Sequence, residues 1–252
     1  MQVIAVSSFK GGTAKTSTAL HLGAALVKFY KKKVLLLDFD AQANLTTGLG
    51  LDPDENDSLA PVLQGEKKIE QVICSSYLPN LDLIPADTWL ERVEVTGKLA
   101  SDRYSHEKLK DLIASLNYDF VIIDTPPSLC WLTESALIAA HYTLICATPE
   151  FYSVKGLQRL SQFIESIHVR HPIQVLGVVL SFWNARGKSN QPFLEAIEAT
   201  FTGKIVENKI RRDIAVSEAS IFGKPVFDTD SQSRAAEDYT AMVKELMSRL
   251  KK

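Results

Sequence analysis

Cysteine is scarce in this chain of 252 residues: Cys74, Cys130 and Cys146 are its only three, far apart and odd in number. Disulfide frameworks use even sets in short secreted chains, so these thiols are expected to be reduced, in a cytoplasmic protein. Long hydrophobic runs are absent. No apolar stretch approaches the roughly 20 residues that span a bilayer. The start, Met1-Gln2-Val3-Ile4, carries none of the basic residues that open a secretory signal. An excess of one charge is missing as well, with a formal net charge of −2. A polyanionic partner must therefore be met by a local patch, such as dimerisation could assemble, rather than by the whole molecule. No Pro/Gly/Ser-rich linker divides the chain, and there is no internal repeat; the acidic stretch Asp52–Asp57 reads as a solvated turn. One large domain over residues 1–252 is expected rather than two small ones.

What the chain has is apolar material, 46% of its residues, arranged in short runs between longer amphipathic stretches. Strands are expected at Val3–Ser7, Val34–Asp38, Leu81–Pro85, Phe120–Asp124, Thr143–Ala147 and Val175–Ser181. Runs such as Val34-Leu35-Leu36-Leu37 and Phe120-Val121-Ile122-Ile123 are continuous rather than alternating. That suits strands covered on both faces, as in a parallel sheet. Helices are expected at about Lys15–Tyr30, His106–Leu116, Leu132–Ala140, Val154–Arg170, Gln191–Phe201 and Arg234–Leu250. The alternating order predicts an α/β fold, a doubly wound, mostly parallel sheet flanked by helices. Ligands in such sheets sit at the carboxyl ends of the strands, where the motifs below all fall.

Between the first strand and the first helix lies Ser8–Ala14, a glycine-containing loop. A tight turn into a helix N-terminus aims several backbone N–H groups, and the positive end of the helix dipole, at one point where a polyphosphate fits. Gly11 and Gly12 permit close backbone approach, Lys15 supplies a charge, and the Thr16 hydroxyl can ligate Mg2+. The phosphate-loop pattern GxxxxGK[ST] is only partly met by Phe9 to Thr16, F-K-G-G-T-A-K-T. The closing Lys-Thr is present, Ala14 stands where glycine is usual, and Lys10 is additional. A glycine turn with Lys15 facing solvent is the plainer alternative for the loop alone. The Ala14 methyl group disfavours φ > 0, so the loop is expected to adopt a backbone that alanine tolerates, with nucleotide binding retained.

Two carboxylate motifs follow. The second strand ends in Leu37-Asp38-Phe39-Asp40, continuing as Ala41-Gln42-Ala43-Asn44. The fourth ends at Asp124, ahead of Thr125-Pro126-Pro127-Ser128. Four apolar residues closing in Asp is the Walker B form, in which the carboxylate holds Mg2+ through water. Pro126-Pro127 then stops the strand.

K-G-G-x-x-K-T, then D-x-D with Gln42 and Asn44, then D-T-P-P resemble, in kind and order, the deviant Walker A ATPases of the ParA/MinD family. The resemblance covers nearly the whole chain. It extends to Leu81–Ala86, Val216-Ser217-Glu218-Ala219, Gly223–Val226 and Ser233–Glu237, and is to the ParA/Soj branch of chromosome and plasmid partition ATPases. It implies ATP binding by Lys10, Gly11, Gly12, Thr13, Ala14, Lys15, Thr16 and Ser17, with Mg2+ held by Thr16 and Asp124. It implies a catalytic set of Lys10, Lys15, Asp38 and Asp40. Asp40 would position or activate the attacking water, Asp38 would lie near the magnesium, and Lys15 would hold phosphate in cis. Lys10 would reach the partner subunit's nucleotide in an ATP-sandwich homodimer, neutralising transition-state charge as an arginine finger does. Two departures stand out. The family's proline after the second Asp is Ala41, and its adenine-contacting proline and asparagine fall on Arg211 and Asp213.

The same resemblance implies nonspecific double-stranded DNA as a partner, and slow hydrolysis stimulated by a ParB-like centromere-binding protein. The protein would be cytoplasmic and nucleoid-associated. Arg186 and Arg212 match DNA-contacting arginines; a further one is Ala215 here, and Lys188, Lys204 and Lys209 lie nearby. Phosphate contacts of this kind make binding sensitive to salt and indifferent to sequence. The loop begins within ten residues of Met1, which leaves no room for the helix-turn-helix extension of larger plasmid members. In a MinD-like alternative, Val243, Leu246, Met247 and Leu250, with Lys244, Arg249, Lys251 and Lys252 around them, would form a membrane helix. That face lacks Phe and Trp and the helix carries Glu245, so packing on the sheet is expected, and no membrane partner. A nitrogenase iron-protein-like alternative needs two interface cysteines per subunit. Cys130 lies six residues past Asp124, but Cys74 and Cys146 have no ligand spacing, and structural thiols are expected.

Overall fold

The apolar runs form a seven-stranded sheet with helices on both faces in the computed structural model, which describes residues 1–93, 102, 104–150, 153–187 and 190–251. Its strands are β1 (Gln2–Ser7), β2 (Val34–Asp38), β3 (Cys74–Ser75), β4 (Leu81–Ile84), β5 (Phe120–Asp124), β6 (Tyr142–Ala147) and β7 (Gln174–Leu180). They lie in the order β3-β4-β2-β5-β1-β6-β7. Every neighbouring pair is parallel except β3, a two-residue edge strand antiparallel to β4. The continuous runs explain the parallel core: every residue of β2 and β5 is buried, because helices cover both faces.

The helices are α1 (Lys15–Tyr30), α2 (Asn44–Gly48), α3 (Ala60–Leu63), α4 (Leu90–Val93), α5 (Lys108–Ala114), α6 (Trp131–Ala139), α7 (Ser153–His168), α8 (Asn190–Thr200), α9 (Ile214–Ile221), α10 (Val226–Thr229) and α11 (Arg234–Arg249). Alternation along the strands divides the core in two. Ala5, Leu35, Leu37, Val121 and Ile123 face one layer, which includes α5, α6, α7 and α8. Ile4, Val6, Leu36 and Ile122 face the other, built mainly from α1, α9, α10 and α11. The central helix α1 lies close on the sheet: a Cβ on Gly23 would sit 2.7 Å from Leu36 Cδ2, so only glycine fits there unless leucine moves.

The expected helix His106–Leu116 divides into a 3-10 turn at Ser105–Glu107 and α5. The short elements α2, α3, α4, α9, α10 and β3 come in addition to those expected. The C-terminal helix buries Val243, Leu246 and Met247 in the second core layer, with Leu250 packed beside them. That apolar face is occupied by α1 and the sheet rather than left free.

Register brings the functional ends level. Asp124 of β5 lies beside Val6 of β1 on one side and Asp38 of β2 on the other. The chain leaves all three strands at one edge, and the loops that follow build the site there.

Candidate nucleotide-binding site

The loop after β1 turns sharply into α1. Gly12 takes φ +73 with open space around it, a conformation glycine adopts without strain. Ala14 also takes a left-handed backbone, φ 60 and ψ 31, at the cap position of α1. The expectation of a backbone that alanine tolerates is therefore overturned. The Ala14 carbonyl accepts the Thr18 N–H at 2.9 Å to begin the helix, and the left-handed turn is kept although Cβ is strained there. No side chain caps this end of α1, and its first turn holds no acidic residue. Its leading N–H groups thus stay available to an anion, with Lys15 buried beside them at 7% exposure.

The carboxylates sort by what they touch. Asp38 is fully buried; one oxygen accepts the Thr46 N–H at 2.8 Å and the Thr46 hydroxyl at 2.7 Å, anchoring α2. Burial raises its pKa to about 6 against the pull of those bonds. Asp40 lies at the cavity wall and accepts the Gln42 N–H at 3.1 Å. Asp124 is 1% exposed, and neither of its oxygens has a hydrogen-bond partner. Burial first, and then the Asp38 charge, push its pKa up to about 8, while the Lys15 charge pulls it down.

A buried carboxylate without a donor is costly, and a cation beside it removes the cost. Asp124 and Thr16 supply one carboxylate and one hydroxyl. Mg2+ accepts such a sparse protein set because phosphate and water complete its shell. Among the described residues no cluster of three or more His, Cys, Asp or Glu side chains could cage a metal. The donors therefore fit a magnesium shared with a phosphate ligand.

A cavity of about 510 Å³ opens over these groups. Gly11 to Ser17 and Asp40 line it on the phosphate-loop side; Gln42, Asn44, Thr47 and Gly48 continue the wall. Pro127, Phe182 and Ser220 complete it. A larger cleft of about 680 Å³ lies elsewhere, but among the described residues its charged lining is Asp54, Asp57, Glu66 and Asp87, with only Asp57 paired to a lysine, Lys67. Like charge disfavours a polyphosphate there, so the smaller cavity is the candidate.

Several expected residues sit outside the cavity. Lys10 pairs with Glu150 at the surface, the two side chains 49% and 55% exposed. Arg211 turns away to α11, donating to Asp238 from Nε at 2.9 Å and Nη2 at 2.7 Å and to Glu237 at 2.7 Å. Asp213 caps α9, accepting from Ala215 N–H at 3.3 Å and from Ala235 N–H at 3.2 Å. Neither lines the cavity. Arg186 and Arg212 are exposed, and their loops run together because Trp183 pairs with Arg211. Lys209 is half-buried, with its ammonium on the Glu207 carbonyl. Lys188 lies outside the described residues.

Phe182 and Ser220 are the wall residues that the motifs did not mark. The position of Phe182, just past β7, was the available signal, since ligands in such sheets gather at strand ends. Ser220 had no local signal, because α9 is short and without a clear period.

Residues 1–175 match a family model described as an AAA domain. The chain is 68% identical over 249 residues to a ParA family protein of Chlamydia pneumoniae, covering 98% of each. It is 35% identical over 254 residues to the chromosome partitioning protein ParA of Caulobacter vibrioides, covering 99% of this chain and 95% of that one. Among solved structures, the septum site-determining protein MinD of Pyrococcus horikoshii, complexed with Mg-ADP, superposes with a TM-score of 0.81 at 26% identity. That match covers 100% of this chain and 98% of the other. With the phosphate loop, the strand-end aspartates and the parallel sheet all in place, the chain belongs to the ParA family, as a ParA/MinD-type P-loop nucleoside triphosphatase.

Proposed function

We propose that this ParA family protein is an ATP-dependent DNA partition switch. Mg-ATP joins two copies into a dimer, the dimer holds DNA without sequence preference, and slow hydrolysis stimulated by a ParB-like protein releases it. The observation that carries the nucleotide reading is Asp124, a buried, unpartnered carboxylate beside Lys15 and Thr16. The MinD of P. horikoshii holds Mg-ADP on the same fold, which supports ATP and Mg2+ as the ligands here.

The backbone from Gly11 to Ser17 and the Lys15 ammonium hold the polyphosphate, while Thr16 and Asp124 hold Mg2+. When bound, the cation supplies charge neutralisation for phosphoryl transfer. Asp40, at the cavity wall, orients the attacking water; Asp38 keeps α2 and its Asn44 and Thr47 in place. Lys10 exchanges Glu150 for the partner's nucleotide. An exposed ion pair is worth about 0–1 kcal/mol, whereas a charge-assisted bond to phosphate is worth about 1.5–3 kcal/mol. The exchange is favourable on those magnitudes.

Arg186 and Arg212 project from two loops tied by the Trp183–Arg211 pairing and form the core of the DNA patch, with Lys209 at its margin; Lys188, outside the described residues, is the further candidate by sequence. A gel-shift assay tests this, using two unrelated DNA duplexes at about 50 and 200 mM salt. Binding is expected only with Mg-ATP, equally on both duplexes, and weaker at the higher salt and in Arg186→Ala or Arg212→Ala. Retention by anionic vesicles without DNA binding would overturn the partition reading in favour of a membrane-associated switch.

A further inference from the structure

Three arginines meet where the loop before α9 joins the first turn of α11, and their donors are spent very differently. Arg211 is used up within the fold. Its guanidinium donates to Asp238 from Nε at 2.9 Å and from Nη2 at 2.7 Å, and to Glu237 at 2.7 Å. Its backbone N–H donates to Asp238 as well, at 2.9 Å. Asp238 is buried, and a forked pair of this kind fixes direction as well as distance, so the loop is pinned to α11. Arg212, the next residue, is exposed.

Arg234 reaches the same corner from α11. Asp213 joins the two elements: one oxygen accepts the Ala215 N–H of α9 at 3.3 Å and the other the Ala235 N–H of α11 at 3.2 Å. Arg234 Nη2 donates to the Arg212 carbonyl at 3.4 Å, while its Nε stays 3.7 Å from Asp213, beyond hydrogen-bond length. The side chain is 62% exposed. A guanidinium has five N–H donors, and Arg234 commits one of them, at long range. The three carboxylates of the corner are all engaged, Asp238 and Glu237 by Arg211 and Asp213 by the two helix ends. At contact range, the cations left with donors to give are Arg212 and Arg234.

We propose that Arg234 is a DNA-contacting residue, which binds a backbone phosphate next to the one held by Arg212. The sugar–phosphate chain offers neighbouring anions and no sequence information. Two guanidiniums on one pinned corner therefore add affinity and salt dependence, not base preference. A planar fork suits phosphate oxygens in pairs, and here its orientation is set before DNA arrives, by the Arg212 carbonyl. The inference rests on the DNA reading above and adds to it a contact from α11, outside the two loops that carry Arg186 and Arg212.

Fluorescence anisotropy of a labelled duplex of random sequence, with the full chain and Mg-ATP between about 50 and 200 mM salt, tests the contact. Arg234→Ala is expected to weaken binding about ten-fold at the lower salt, the scale of one charge-assisted bond. The slope of log affinity against log salt should also become shallower by about one. Arg234→Lys keeps the charge and is expected to keep the slope. Arg234→Gln keeps a donor for the Arg212 carbonyl without the charge, and is expected to behave as Arg234→Ala does. A residue that only docks α11 would follow the donor instead of the charge. Mg-ATP affinity, expected to be unchanged in all three variants, shows that each is folded. An unchanged slope in Arg234→Ala, or equal losses in the Lys and Gln variants, would overturn the assignment. An unmodified protein that binds no duplex at either salt is a separate result, which removes the DNA reading and this contact with it.

Discussion

Ala14 and Asp124 each carry a cost that the unliganded fold does not recover. Ala14 occupies φ 60 because the turn into α1 demands it. Glycine at this position removes the Cβ clash, and the gain exceeds the added flexibility of the unfolded chain. Ala14→Gly is therefore expected to stabilise the protein by about 1 kcal/mol, measured by urea unfolding, with nucleotide affinity kept. Asp124 is the larger cost: a carboxylate buried beside Asp38, with its pKa pushed up to about 8. Asp124→Asn keeps the shape and removes the cost of burying an acid that the unfolded chain ionises at neutral pH. The unliganded variant is expected to be more stable by on the order of 2 kcal/mol, yet to lose the stabilisation that Mg2+ adds to nucleotide binding. Thermal melts with ATP, with and without Mg2+, check both halves. A variant less stable than the original without ligand would contradict the claim that this carboxylate waits for a cation.

At the scale of elements, α1 is fastened to the C-terminal segments through His21. The imidazole Nδ1 meets the Ser17 carbonyl at 2.6 Å, and Nε2 accepts the Val226 N–H at 3.0 Å, an arrangement for the neutral ring. The ring also stacks on Tyr239, with centroids 4.3 Å apart. Burial lowers its pKa from 6.5 to about 4. The sign follows: above pH 6.5 both folded and unfolded states are neutral and His21 adds no pH dependence. Between 6.5 and about 4 the unfolded chain takes the proton and the folded one does not, so stability is lost as pH falls. The loss across that window is on the order of 3 kcal/mol, and is expected to vanish in His21→Gln. Subtracting the two unfolding curves isolates it from the carboxylates, which titrate in both proteins.

The long elements were legible in the residues, and the short ones were not. Val34-Leu35-Leu36-Leu37 and Phe120-Val121-Ile122-Ile123 announce doubly covered strands, and both become fully buried parallel strands. By contrast, α9 exposes Ile214 at one end and Ile221 at the other, 72% and 81% exposed, so its apolar residues mark no single buried face. Its one local sign is Asp213, whose side chain accepts the Ala215 N–H as a cap. The phosphate loop and Asp124 could be read from motif alone. Phe182 and the true direction of Arg211 could not, because a positive φ and an ion pair with Asp238, 27 residues along, are tertiary facts.

At the scale of the whole molecule, the proposed site is one that a single chain leaves incomplete. Lys10 sits outside the cavity, paired with Glu150, and both side chains are about half exposed. The role proposed for it at the partner's nucleotide would separate binding from assembly. Mass measurement by light scattering behind gel filtration, with and without Mg-ATP, tests that separation most directly. The unmodified protein is expected to run as a monomer alone and a dimer with Mg-ATP. Lys15→Ala should neither bind nor dimerise, whereas Lys10→Ala should bind ATP and remain a monomer. A Lys10→Ala protein that dimerises with ATP as the original does would contradict the shared site.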